Sequence, residues 1–429
     1  MLKRIFQIVE DGKMLVLCKN EMKINIKSLI KACIIIIQML IVFTPVAVTN
    51  MGIMGYLNYY RLLFLFIEVG IFFITSKKIV DWEIIICIIG FFSANLFITF
   101  KNNKSEFISS VNTMVLYLLS VITMLNLGRR SNKSTISIVY SYIVFIMFIN
   151  LLSLIFLPDG FYKQYLHEMT IEQANSVYFL GVDNGFGAYI FPFISLGSFI
   201  NYYFDKKIIS SVILFSISIL TYLISFSVTG LLAELFFLVI FFFLVIGKEK
   251  SLIFKIVDIK TIILFYIAMM YFLVFNNTFS NNGIIADIIK NKFGKSMTFS
   301  GRTDIWEKAI NKINGSLLWG YGSVEYGAYI SLPGTSKAFG AHNTVLQLLL
   351  QYGLVGVFFL ILGLVICFYK FKKDKKFIIA NKYFYAGVIA ALIYYCFEAA
   401  NIAPALGCLF YIYGFETSNN KRRINYDRT

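Results

Sequence analysis

Long apolar runs separated by polar links organise this chain. A helix needs roughly 20 predominantly apolar residues to cross about 30 Å of hydrocarbon. Twelve stretches approach that length: 29–48, 57–75, 83–100, 107–127, 135–157, 185–203, 208–225, 229–247, 259–275, 343–369, 377–397 and 402–415. The last two depart most from the pattern, because 377–397 contains Lys382 and 402–415 is short. The links are unequal. With both termini on the cytoplasmic side, the outer links 49–56, 101–106, 226–228 and 398–401 are tight, whereas 158–184 and 276–342 are long. Connections beyond about 12–15 residues are usually functional or disordered. These two carry aromatic residues, among them Phe161, Tyr162, Tyr165, Tyr178, Phe179, Trp306 and Trp319, which points to order. The pattern predicts an all-α integral membrane protein of about 12 transmembrane helices. Residues 1–429 form one polytopic domain with two long extracytoplasmic loops, 158–184 and 276–342.

The insert 276–342 has its own periodicity. Ile305, Trp306, Ala309, Ile310 and Ile313 recur on one face of a 3.6-residue repeat, which predicts a short amphipathic helix. Ser300 or Thr303 is suited to cap its start, and Asp304 and Glu307 fall in the first turn, where carboxylates are favoured. This helix is expected to lie on the membrane surface against the loop 158–184. Gly315 to Gly340 follows, rich in Gly, Ser and Tyr, with Pro333-Gly334 as a turn signal.

Composition agrees with the membrane reading: 59% of residues are hydrophobic, 14% are charged and the mean hydropathy is +0.76. The net charge of +16 follows from orientation. With both termini cytoplasmic, 28 of the 39 Lys and Arg fall inside and ten outside, with Arg61 in a span. This is the positive-inside pattern of a protein in the cytoplasmic membrane. The outer face balances ten basic residues with ten acidic ones. The basic excess therefore records orientation and attraction to anionic lipid, and a nucleic-acid partner is not expected. No cleavable signal peptide is expected, since the first 27 residues are charged and mixed. None of the six cysteines lies in an outer link, so no external disulfide framework is expected. The only two histidines, His167 and His342, are 175 positions apart, which argues against a metal site built on His, and no cofactor is expected.

Candidate chemistry concentrates on the outer links. Arg302, between Gly301 and the amphipathic helix, has the forked guanidinium suited to phosphate, although a solvated or headgroup Arg reads the same way. His342 opens the tenth span. A neutral imidazole there suits a general base, and the alternative is a capping or interfacial His. Arg61 and Glu68 lie seven residues apart inside a span, where charge is costly and marks function by default. Snorkelling of Arg61 to the interface is the alternative. Glu234 lies nearly two turns below Thr229-Gly230 and either pairs with a buried cation or hydrogen-bonds between helices. Asn184 is suited to cap the sixth span, and Asp183 beside it to orient a hydroxyl. His167 and Glu168 are further candidates to contact substrate, while Lys290, Lys292 and Lys295 read as ordinary headgroup contacts.

Several short motifs recur together. Gly301-Arg302 with Trp306, Gly320-Tyr321-Gly322, and His342-Asn343 leading to Gln351-Tyr352-Gly353-Leu354-Val355-Gly356 resemble the O-antigen polymerase and ligase superfamily. Asp183-Asn184 and Ser225 to Gly230 are similar to its pattern as well. The likeness covers roughly 180–365, with the topology extending it over the rest. It implies a GT-C-like membrane fold and a metal-independent glycosyltransferase, using undecaprenyl-pyrophosphate-linked oligosaccharides outside the cytoplasmic membrane. By position, Arg302 would hold the donor pyrophosphate and His342 would deprotonate or orient the acceptor hydroxyl. Asp183, Asn184, Trp306 and Asn343 complete the implied substrate contacts. The first long loop carries Lys163 as its only cation, so Lys163, Arg61 or Lys337 would supply the rest of the phosphate site. The resemblance implies polymerisation of capsular or O-antigen-type repeat units, with a ligase of the same superfamily as the alternative. Implied partners are membrane lipids, a chain-length regulator and a flippase. A transporter of lipid-linked oligosaccharide is the reading from another class, and it predicts midplane charges and repeated halves. A non-catalytic assembly protein would leave Arg302 and His342 without a role.

Overall fold

The computed structural model describes residues 15–17, 22–24, 26–49, 54–75, 79–164, 175–205, 208–247, 251–275, 302–325, 328–331, 338–369 and 375–426. Each of the twelve apolar stretches contains a helix. In chain order the helices are α1 (Ile26–Val42), α2 (Val46–Thr49), α3 (Met54–Thr75), α4 (Ile79–Asn102), α5 (Phe107–Arg129) and α6 (Lys133–Phe156). There follow α7 (Gly187–Ile200), α8 (Ile208–Ile224), α9 (Val228–Ile246), α10 (Leu252–Ile256) and α11 (Ile259–Met270). The last are α12 (Arg302–Gly315), α13 (Thr344–Tyr369), α14 (Lys375–Phe397) and α15 (Ala403–Tyr426).

Among the described residues, seven helices are long and apolar enough to cross a membrane: α3, α4, α5, α6, α9, α13 and α14. The expected count of about 12 is thus met only in part, for local reasons. The stretch 29–48 is split because α1 ends before Pro45, which lacks an amide hydrogen for a continuing helix. Helix α7 has 14 residues, includes Pro192 and passes into a π-helical turn at Asn201–Asp205. Helix α11 similarly ends in a π-helical turn at Tyr271–Phe275. Helix α15 is long enough, but its last turns carry Lys421, Arg422 and Arg423. The fold is mostly helical, with three small antiparallel strand pairs among the described residues: β1 (Leu15–Leu17) with β2 (Met22–Ile24), β3 (Tyr162–Gln164) with β4 (Asn175–Val177), and β5 (Ile330–Ser331) with β6 (Ala338–Phe339).

The most extensive helix contacts are α5 with α15, α4 with α13, and α14 with α7. Helices α5 and α15 approach backbone to backbone, which Gly128 and Gly414 permit because a Cβ on either would overlap the partner's main chain. Phe91 stacks on Tyr352 at 4.1 Å between α4 and α13. Large apolar side chains point outward along α3 and α9, including Leu63, Phe66, Leu235, Val239 and Phe242. An exposed apolar surface of that extent suits lipid and not water.

The span 343–369 is also broken. Gly353 has φ +60° and ψ −174°, outside the helical region, within α13. The gap is filled by the chain that leaves α12. Tyr321 donates its amide hydrogen to the Leu350 carbonyl at 2.7 Å, and Leu354 and Val355 donate to Leu317 and Leu318 at 2.9 and 3.1 Å. The carbonyl and amides freed by the break are therefore satisfied by the inserted loop. Ser323 then ties the same loop to α4 and α5, receiving a hydrogen bond from Ser110 and donating its amide to Thr99, each at 2.7 Å.

Candidate functional site

Helix α12 forms as its sequence pattern predicts, with Ile305, Trp306, Ala309 and Ile313 buried and Ile310 partly so. Its docking differs from expectation. Among the described residues it packs chiefly against α13, the turn 271–275 and β5. The apolar stripe is satisfied by protein, so the helix does not rest on it as a surface helix would. Thr303 lies within the helix and is not its cap, while Ser300 and Gly301 lie outside the described residues. Trp306 is 1% exposed, its indole faces the His342 carbonyl at 3.4 Å, and its ring lies 6.2 Å from that of Phe397. It therefore packs beneath the site as a buried side chain, so the substrate contact expected at Trp306 is not visible in this structure.

Above Trp306 three charged or titratable side chains meet. Arg302, at the start of α12, donates from Nη2 to Glu398 Oε1 at 2.5 Å. The other Glu398 oxygen lies 3.7 Å from His342 Nδ1. Glu398 is nearly buried, while the His342 side chain is 37% exposed and so reachable. His342 holds a positive φ of 45°, uncommon for a side-chain-bearing residue and worth notice at a site.

The segment beside Glu398 is fixed by the start of α13. Asn343 accepts the Leu346 amide hydrogen at 3.0 Å, as a helix cap does, and donates to the Cys396 carbonyl at 2.9 Å. Thr344 donates to the Glu398 carbonyl at 2.7 Å and accepts from Ala400 at 3.1 Å. Asn343 is fully buried, and both ends of its amide are engaged with backbone, so the substrate contact expected of it is not visible in this structure. It positions Glu398 and His342 instead.

Of these groups, His342, Thr344, Glu398 and Ala400 border a cavity of about 810 Å³. His342, Thr344, Gln347 and Gln351 line one wall, and Glu398 to Asn401 close it nearby. Asn175 and the turn Leu180 to Gly185 bring in the first long loop, and Ser323, Val324 and Ala328 bring in the second. Glu106, just before α5, and Ser109, Thr113 and Tyr117 from its first turns also line it. The volume lies within the roughly 300–1,000 Å³ of small-molecule sites.

The other expected residues separate clearly. Asp183 and Asn184 line the cavity. Asp183 accepts the Asn184 amide hydrogen at 2.8 Å, and the Asn184 carbonyl accepts from the buried Tyr394 hydroxyl. The cap expected of Asn184 is not made: residues 183–185 form a 3-10 turn, and α7 starts after Phe186 without a side-chain cap. Lys163 is held by Asp159 and Ser176, each at 2.9 Å, along the β3–β4 strand pair and away from the cavity lining. Arg61 is buried on α3. Its Nη1 reaches Asn58 at 3.4 Å, its Nε has no partner among the described residues, and it lies in electrostatic range of Tyr189, which lines the cavity. Glu68 does not pair with Arg61. It accepts from Gln38 and Asn126 at 2.5 and 2.8 Å, linking α3 to α1 and α5. Glu234 accepts from Ser218 at 2.7 Å, bridging α9 and α8. Lys337, His167, Glu168, Lys290, Lys292 and Lys295 lie outside the described residues.

Glu398 is the residue of this cluster that no motif announced. It sits 96 residues from Arg302, at the end of α14, and reads in sequence as one more carboxylate at a span terminus.

A search of curated proteins found no match. The family described as O-antigen ligase matches residues 213–361, from within α8 to past the break in α13. That segment contains Arg302, Trp306, the two glycine motifs that interlock at Gly353, and His342. Through that segment the chain is similar to the O-antigen ligase family.

Proposed function

We propose that the protein is a membrane glycosyltransferase that polymerises undecaprenyl-pyrophosphate-linked repeat units into a capsular or O-antigen-type polysaccharide at the outer face of the cytoplasmic membrane. The observation that carries this reading is the Glu398 carboxylate held between Arg302 and His342 at the wall of a cavity built by both long loops.

The reaction needs three things of the protein. An acceptor hydroxyl must lose its proton as its oxygen bonds to the donor's anomeric carbon. The bond from that carbon to the pyrophosphate oxygen must break, and the departing pyrophosphate must be met by positive charge. His342, half exposed to the cavity, is the base that takes the proton. Glu398 orients its imidazole and favours the imidazolium as it forms, as a carboxylate behind a catalytic His does. Arg302 uses one N–H on Glu398, and its remaining donors meet the pyrophosphate. Arg61, buried with an unpartnered Nε close to Tyr189, is the second cation. It takes the place of the cations that the first long loop lacks, since Lys163 is committed to Asp159. Asp183 and Asn184 shape the acceptor side. No step in this scheme requires a metal.

A ligase of the same superfamily would use the same residues with a different acceptor. The test is elongation by purified protein given lipid-linked repeat units with chelator present. Ladders of increasing length, absent for Arg302→Ala and His342→Ala in protein that still folds, support polymerisation. Single transfer to an unrelated acceptor without ladders supports the ligase, and wild-type ladders from both variants sink the assignment.

A further inference from the structure

Resting on that reading, we propose that the cavity beside His342 is a subsite for an uncharged glycan, which accepts repeat units built of neutral sugars and discriminates against carboxylated ones. The argument lies in what lines it. Among the described residues the charged groups on its wall are Glu106, Asp183 and Glu398, and neither Lys nor Arg lines it. Glu398 is neutralised by Arg302 behind it. Glu106 and Asp183 have no ion-pair partner among the described residues. A uronate or other acidic sugar would therefore meet like charge with nothing to offset it.

The neutral part of the lining fits hydroxyl-rich ligands. Glu106, the residue before α5 with helical backbone angles, and Ser109 and Thr113 within α5 are spaced i, i+3 and i+7, so they share one face. Thr113 donates its hydroxyl hydrogen to the Ser109 carbonyl at 2.9 Å, which leaves the oxygen as an acceptor. Across the cavity Gln347 accepts the Ala341 amide hydrogen at 2.8 Å, which leaves its NH₂ as a donor. A sugar hydroxyl both donates and accepts, so it can bridge these groups. Its bonds to the carboxylates are the stronger, charge-assisted kind. The cations of the proposed mechanism, Arg302 and Arg61, are absent from the lining. The geometry thus separates a cationic place for the pyrophosphate from an anionic and neutral place for the sugars.

The test uses the full-length protein in lipid nanodiscs. The probes are a tetrasaccharide of alternating N-acetylhexosamine and hexose, and the same tetrasaccharide with each hexose replaced by hexuronic acid. Binding by calorimetry should favour the neutral probe by at least about tenfold in Kd. The variant carrying Glu106→Gln and Asp183→Asn should narrow that gap by gaining affinity for the acidic probe. Equal or tighter binding of the acidic probe to wild type, or no binding of the neutral one, overturns the proposal. If the double variant does not fold, the wild-type comparison alone decides. The subsite and the polymerase reading fail differently. Protein that binds the neutral probe but elongates no lipid-linked repeat keeps the subsite and loses the polymerase. Protein that elongates acidic repeats as fast as neutral ones keeps the polymerase and loses the subsite.

Discussion

Gly320 and Gly353 lie so close that a Cβ built on either would fall within 2.8 Å of the other's backbone nitrogen. Both also have positive φ, 69° and 60°. Their contact locks the loop leaving α12 into the break in α13, so one joint fixes the helix that carries Arg302 relative to the helix that begins beside His342.

Gly353→Ala should therefore destabilise the protein by at least about 2 kcal/mol, from backbone strain plus overlap. Gly320→Ala should behave alike. Gly70 in α3 is the contrast: a Cβ there meets nothing within 4 Å. Gly70→Ala should be neutral or stabilise by up to about 1 kcal/mol. Thermal unfolding in detergent, followed by size-exclusion fluorescence, reads all three.

Trp306→Ala should cost about 3–5 kcal/mol, the usual loss for a buried aromatic. Because the indole lies beneath His342, the folded fraction should also lose transferase activity. A variant that keeps wild-type stability and turnover would show that Trp306 supports neither.

Arg61 and Lys163 should part company. Lys163→Ala removes a surface pair to exposed Asp159 and should change stability by about 0–1 kcal/mol, with chain elongation unchanged. Arg61→Ala should raise the KM for the lipid-linked donor, and Arg61→Lys should restore it in part. If Lys163→Ala abolishes elongation while Arg61→Ala does not, the second cation has been misassigned.

Orientation is open to direct measurement. Cysteines introduced by Lys290→Cys and Lys375→Cys should label from opposite sides, with position 290 reacting from outside intact cells and position 375 only after permeabilisation. The reverse result would invert the positive-inside assignment and put the proposed site in the cytoplasm.

Much of this was legible in the chain because the physics behind it is local. Apolar runs gave a helix in each of the twelve stretches, and a 3.6-residue stripe gave the buried face of α12 from Ile305 to Ile313. Where partners are distant, local pattern stops helping. Trp306 and Asn343 stand in a motif beside reactive residues, yet one is buried as core and the other is spent as a cap, roles that depend on what packs above them. The two glycine motifs read as separate loop signals, because nothing in either reveals that they close on each other. Lys163 looked available, but Asp159 in the turn just before β3 holds it. Glu398 is the clearest case. Its role is set by Arg302 and His342, which reach it through folding alone.

The central claim is that Glu398 makes Arg302 and His342 one site, and Glu398→Gln tests it most directly. This change keeps the shape of the side chain and removes its charge. With purified, folded protein and lipid-linked repeat units, elongation should fall by at least about a hundredfold, the lower end for loss of general-base function. Adding His342→Ala should cost little more, since residues acting as a unit are not additive. Wild-type chain lengths from Glu398→Gln would contradict the account.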